Sequence, residues 1–358
     1  MAKKKSRGGK ITVRITFLLI LMGFIYVSYP YYTLYRAGQK MNVRSESEQL
    51  KIFIEKEILF QNLGDYLEES GWILDAGSFN RVIEHKELNK EIMLPGIQLI
   101  QKDWNNKTLI NQLFLARNKG EVEITVNNVR LKEELAEKLS AHVIASKEEL
   151  QALLSSEDYC NKFGFTGETI MTMFLPDTYR VKYKTTAEEL VERMANEYKK
   201  FWTDSNRAKA SRLGLTQSQV SILASIVQAE QNRKLDEQPD IARLYLNRIK
   251  IGMRLESDPT LVFAHGDFSI TWVKDIHKEI DSPYNTYKHA GLPPGPINLP
   301  EKSAILSVLN PAENDYLFMC AKPETGGYHN FSKSYQQHLV YAREYQKWNR
   351  EYHRKKPS

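Results

Sequence analysis

Cysteine is nearly absent: Cys160 and Cys320 are the only two in 358 residues. No CxxC or Cys/His spacing occurs, so no metal site is expected. In an exported chain an even pair permits a disulfide, and two separate thiols are equally compatible with the spacing. Acidic residues are missing from the first 45 positions, whereas Lys3, Lys4, Lys5, Arg7, Lys10 and Arg14 all fall there. The net charge of +6 therefore resides in an N-terminal tail, and the remaining chain is close to balanced. That removes the main argument for a nucleic-acid partner. Low-complexity tracts are absent too, and with 42% hydrophobic and 26% charged residues the composition is globular.

Long apolar runs are scarce, with one exception. "ITFLLILMGFIYVSYPYY", Ile15 to Tyr32, is uncharged over 18 residues. At about 1.5 Å per residue it just crosses a bilayer core of roughly 30 Å. Tyr26, Tyr29, Tyr31 and Tyr32 crowd its far end as an interfacial belt would. No small-x-small cleavage site follows, so an uncleaved transmembrane helix is predicted rather than a signal peptide. The basic tail (1–14) places the N-terminus in the cytoplasm and everything after about residue 33 outside.

Two stretches in the following region repeat one order. An alternating strand near Lys51 to Ile54 leads to a helix (Leu59 to Ser70), a turn and a second helix from about Ser78. Roughly 70 residues on, "EVEITVNNVRLKEELAEKLSAHVIASKEELQALLSS" gives strand, helix, short apolar link, helix. Ile54, Leu63 and Trp72 correspond to Val126, Leu135 and Ile144. Between the copies a strand, a turn and a helix ending at Gly120 are predicted. The strand–helix–helix unit, 47–156, resembles the LysM-type carbohydrate-binding module; a small α+β spacer is the alternative. The whole ectodomain reads as α+β, with a larger domain at 163–358.

In that domain "FLPDTYRV" is a turn opening into a strand, and an amphipathic helix runs from Thr186 to about Phe201. Next, Thr216 and Gln219 form a capping box, so a helix begins near Gln217. On it Val220, Leu223, Ile226 and Val227 define an apolar arc, and Ser218, Ser221, Ser225 and Gln228 lie opposite. Glu230 is about 20° from Leu223, on the apolar face of the last turn. An apolar wall and the negative end of the helix dipole both disfavour its ionised form, which suits a general acid. A glutamate that ends a helix and reaches water is the plainer alternative. A second helix, Asp240 to Ile251, leads to a turn at Asp258-Pro259. Asp281 to Pro300 holds five prolines and two glycines, which makes a rigid irregular loop. Tyr284, Asn285 and Tyr287 project from it with groups suited to sugar rings and acetamido substituents. A closing hairpin carries His329 and Phe331.

These stretches, "LASIVQAE", "LNRIKIGMRLESDPT", "SPYNTYKHAGLPPGPINLP" and "GGYHNF" with a later His338, resemble the endolytic murein transglycosylases of the YceG-like family. The resemblance covers roughly Phe174 to His338, and its motifs are together highly specific. It implies that Glu230 is the catalytic residue; from their own chemistry and position, Asn285, Tyr287, Tyr284, Asp258 and His329 are expected to bind substrate. It gives Glu256 no role, since relatives often carry glutamine there. Many relatives have a second glutamate two residues before the catalytic one; here that position is Gln228. The activity implied is cleavage of the MurNAc-β-1,4-GlcNAc bond to a 1,6-anhydro end, at the bacterial inner membrane, without metal or organic cofactor. The partners implied are peptidoglycan glycan strands and the synthases that make them. A non-catalytic peptidoglycan-binding protein, or a hydrolytic muramidase with Asp258 as second carboxylate, are the alternatives.

Overall fold

The computed structural model describes residues 7–117, 121–324 and 326–355. Helix α1 (Arg7–Gln39) contains the apolar run, and from Thr16 to Gln39 it is long and apolar enough to cross a membrane. Its most apolar 18-residue window is entirely unburied, whereas Ala37 near its end joins the core of the first unit. The lysines at 3–5 and Gly120 lie outside the described residues.

The chain forms two compact units, Met1–Val122 with Lys182–Lys184, and Glu123–Val181 with Thr185–Ser358. In the first, β1 (Gln49–Ile54) is followed by β2 (Ile58–Leu59), α2 (Phe60–Glu69) and α3 (Ala76–His85). Then come β3 (Ile92–Met93), β4 (Gly96–Gln101) and α4 (Asn106–Ala116). β1 runs antiparallel to β4 in the register Gln49↔Gln101, and β2 pairs with β3. The alternation of β1 buries Ile52 and Ile54, which join Phe60, Leu63, Phe79, Ile83 and Leu113 in one core. Asn42 and Asn106 are buried beside it with their amides bonded to each other at 2.7 Å. Buried polar side chains persist only when paired in this way.

The second unit begins inside β5 (Glu121–Val126), which α5 (Lys132–Ser140), α6 (Lys147–Ser155) and α7 (Glu157–Asn161) follow. Strands are therefore present at both Ile54 and Val126, each followed by two helices. The third correspondence is loose, because Trp72 is half-buried and Ile144 is exposed. The division between units falls inside the stretch read as one region, 47–156: its first copy lies in one unit and its second copy largely in the other.

β6 (Asp177–Lys182) pairs with β5, and the Thr125 and Thr178 hydroxyls meet at 3.0 Å. Helices α8 (Ala187–Phe201), α9 (Asp204–Arg212), α10 (Gln217–Glu230), α11 (Gln238–Lys250), α12 (Asp258–His265) and α13 (Lys302–Leu309) follow. The hairpin β7 (Phe318–Ala321) and β8 (His329–Ser332) precedes the last helix, α14 (Tyr335–Lys355). Cys160 and Cys320 are both free thiols.

α10 is central, packed by α9, α11, α12 and α13. Its capping box forms as the sequence requires: Gln219 N–H donates to Thr216 Oγ1, and Thr216 N–H to Gln219 Oε1. The expected polar face, however, does not exist. Val220 to Val227 are all buried, Ser221 and Ser225 included. A helix enclosed on every side needs small residues where neighbours approach, and serine supplies a small side chain with a local hydrogen bond. Ser225 Oγ donates to Ile222 O at 2.7 Å and accepts Ile297 N–H at 3.1 Å, which ties the proline-rich loop to the helix.

Candidate active site

Glu230 ends α10, half-buried at the edge of a cavity of about 220 Å³. Tyr245, one residue past the middle of α11, donates its hydroxyl to Glu230 Oε1 at 2.8 Å. Ser257, the N-cap of α12, donates to the same oxygen. Oε2 has no hydrogen-bond partner among the described residues. Burial pushes the carboxyl above the usual glutamate range, and the charge of Asp258 adds to the rise. The Ser257 and Tyr245 hydroxyls oppose it, as does His329. Desolvation is the largest of these effects, so the protonated form is favoured. Tyr245 is itself buried beside this carboxyl, and its phenol is held well above the ordinary value.

Arg248, Glu256, Asp258, Cys320 and His329 also line the cavity. Arg248 is buried and spent on structure, donating to Leu317 O at 2.6 Å and Leu255 O at 2.7 Å. Glu256 lies 3.7 Å from Arg248 and is exposed, with φ at +49°, a left-handed conformation that costs a side-chain-bearing residue energy. Its N–H donates to Thr286 O at 3.1 Å, which holds that conformation in place.

Asp258-Pro259 does not form the expected turn. Both residues open α12, where proline's missing N–H costs nothing and an acidic side chain suits the helix N-terminus. Asp258 Oδ1 accepts the Tyr287 hydroxyl at 2.6 Å, and burial raises the Tyr287 phenol pKa.

The proline-rich loop is as rigid as its composition demands. A Cβ at Gly295 would lie 2.5 Å from Glu168 O and 2.6 Å from the Tyr284 hydroxyl, so only glycine fits. Asn285, expected to contact substrate, instead staples this loop. It is fully buried; Nδ2 donates to Lys278 O and Ile280 O, and Oδ1 accepts Tyr287 N–H. Every amide atom is used within the protein, which leaves none for a ligand. Tyr284 is likewise turned away, its ring packed on Phe263 at 4.8 Å. Thr286, the next residue after Asn285, is the link to the site: its hydroxyl accepts Ser257 N–H at 3.0 Å. The loop thus serves Glu230 through Ser257.

His329 lines the cavity, and its partner is one that sequence reasoning missed. Glu237 is buried; it accepts His329 N–H at 2.7 Å through Oε1, and its Oε2 lies 2.9 Å from His329 Nδ1. Gln231 Nε2 donates to the same Oε2 at 2.9 Å. Tyr245 and Ser257 were missed as well. The only sequence signal available for Ser257 was its place directly before Asp258-Pro259, the N-cap position of a helix that opens with proline. Gln228 is structural, its Oε1 accepting Glu301 N–H at 2.6 Å.

A long, mostly α-helical domain centred on a buried helix that ends in one carboxylate defines the class. The sequence profile of the YceG-like family matches residues 52–344, and the chain belongs to that family. Over 155 residues it is 32% identical to the endolytic murein transglycosylase of Bacillus subtilis, covering 43% of this chain and 41% of that protein. The endolytic murein transglycosylase of Streptococcus pneumoniae serotype 2 is 34% identical over 155 residues, 42% of this chain and 28% of that one. The matches thus span less than half the length of these curated relatives. The crystal structure of a YceG-like protein from Listeria monocytogenes shares the fold, with TM-score 0.56 and 21% identity over 82% of this chain and 98% of that one.

Proposed function

We propose that the chain is a membrane-anchored endolytic lytic transglycosylase that cleaves peptidoglycan glycan strands. The observation that carries this reading is the hydrogen bonding of Glu230: two hydroxyls occupy Oε1, and Oε2 is left for a proton in a cavity that favours the neutral acid. Protonated Oε2 donates to the glycosidic oxygen as the C1–O bond between MurNAc and GlcNAc breaks. The resulting carboxylate then takes the proton of the muramoyl C6 hydroxyl, whose oxygen closes on C1 to give the 1,6-anhydro ring. The nucleophile is internal to the substrate, so a single enzymic carboxylate suffices, where ordinary retaining and inverting glycosidases use two.

On this reading α1 is a single-pass anchor with the N-terminus in the cytoplasm, and the strand–helix–helix segments upstream hold or space the catalytic unit near nascent strands. The relatives' names and the position of Glu230 support it. Mass spectrometry of glycan digested by the purified protein tests it. Anhydro-muramoyl ends are expected. Reducing ends would assign a hydrolase with Asp258 as partner, and intact strands would leave a binding protein.

A further inference from the structure

Asp258 lines two depressions. One is the Glu230 cavity; the other is a groove of about 500 Å³ bordered by Arg130, Ala229, Val262, Phe268, Trp272 and Asn298. Ala229 is the chain neighbour of Glu230, and Asp258 is common to both linings, so the groove lies beside the Glu230 cavity. Trp272 is 68% exposed, although an indole would gain by covering its faces. Phe268 lies under the Arg130 guanidinium at 4.6 Å, which fixes part of the rim. Asn298, anchored through Nδ2 to Ser225 O at 2.9 Å, has its Oδ1 buried without a partner.

We infer that this groove is a second glycan subsite, with Trp272 as the platform on which an N-acetylated sugar ring next to the cleaved bond stacks. The inference rests on the proposed function. A cut inside a strand requires sugars bound on both sides of the bond. The Glu230 cavity holds one side, bounded by Cys320 and His329, and the groove continues past Asp258 on the other. The apolar C–H face of a pyranose matches an indole face, and the acetamido methyl finds Val262 at the wall.

Binding is read separately from cleavage by using the full chain carrying Glu230→Gln, solubilised in detergent, with uncrosslinked glycan strands as titrant. Tryptophan fluorescence should change on addition of strands, and Trp272→Phe in the same background should remove the change. Trp272→Ala should weaken strand binding roughly tenfold, the scale of one aromatic face left uncovered. In the Glu230 enzyme it should raise KM for long strands more than it lowers kcat. A fluorescence change that survives Trp272→Phe, or unaltered binding by Trp272→Ala, overturns the subsite. Loss of anhydro product by the parent enzyme with the Trp272 signal intact would instead refute the reaction and leave the subsite standing.

Discussion

Tyr245 and Ser257 donate to one and the same oxygen of Glu230, and they reach it from different helices. The pair fixes the carboxyl plane and leaves the second oxygen without a hydrogen-bond partner among the described residues. It also moderates the pKa rise that burial imposes, since a hydroxyl donated to a carboxylate favours the charged form.

Glu230→Gln should abolish anhydro-product formation while preserving the fold. The amide oxygen can still accept from Tyr245 and Ser257. Loss of a positioned proton donor typically costs about 10²–10⁴-fold in rate, and in the proposed mechanism one group performs both transfers. Glu256→Gln should be mild, because Glu256 is exposed and its pairing with Arg248 is long. Parallel digests by the two variants and the parent protein check this.

The same substitution should change stability with pH in a defined sense. A carboxyl whose folded pKa is raised contributes its full stabilisation below the unfolded value, and loses it as pH climbs through the folded value. Glu230→Gln has no such loss. Its melting temperature should match or exceed that of the parent near about pH 8, and the advantage should vanish toward about pH 4. Calorimetry at both values decides; an advantage confined to acid pH would reverse the assignment.

Ser257→Ala and Asp258→Asn should move the alkaline limb of kcat/KM in opposite directions. Removing the Ser257 donor raises the Glu230 pKa further, so activity persists to higher pH even though the maximum falls. Removing the Asp258 charge lowers that pKa, so activity fails earlier. A merely structural role for either residue would lower the maximum and leave the limb in place.

Asn285→Ala should destabilise the domain by about 1–3 kcal/mol, because the Tyr287 N–H and the Lys278 and Ile280 carbonyls lose their partner. Chemical denaturation measures it. The accompanying activity loss should appear in kcat, through Thr286 and Ser257, rather than as weaker strand binding.

Glu237→Gln should release His329 from its orientation while retaining part of the Gln231 network. Lower cleavage with unchanged strand binding is the expected result. Equal cleavage would reduce the Glu237–His329 pair to a brace for the hairpin.

The sequence by itself determined what is local. Caps, turns and periodicity set α10 from its Thr216–Gln219 box to Glu230, the two strand–helix–helix segments, and the rigidity of the proline-rich loop. These signals act over a few residues, where backbone geometry is decided by neighbours in the chain. Tertiary structure decided which polar groups are buried and whom they serve. Ser221 and Ser225 read as a solvent face until four other helices enclosed α10. Asn285 read as a sugar ligand until its amide was seen to be consumed by backbone. The partners of Glu230 stand 15 and 27 positions away, and Glu237 is 92 from His329. No periodicity spans such separations; those pairings exist because packing of the helices brings the groups within reach and burial penalises any that stay unpaired.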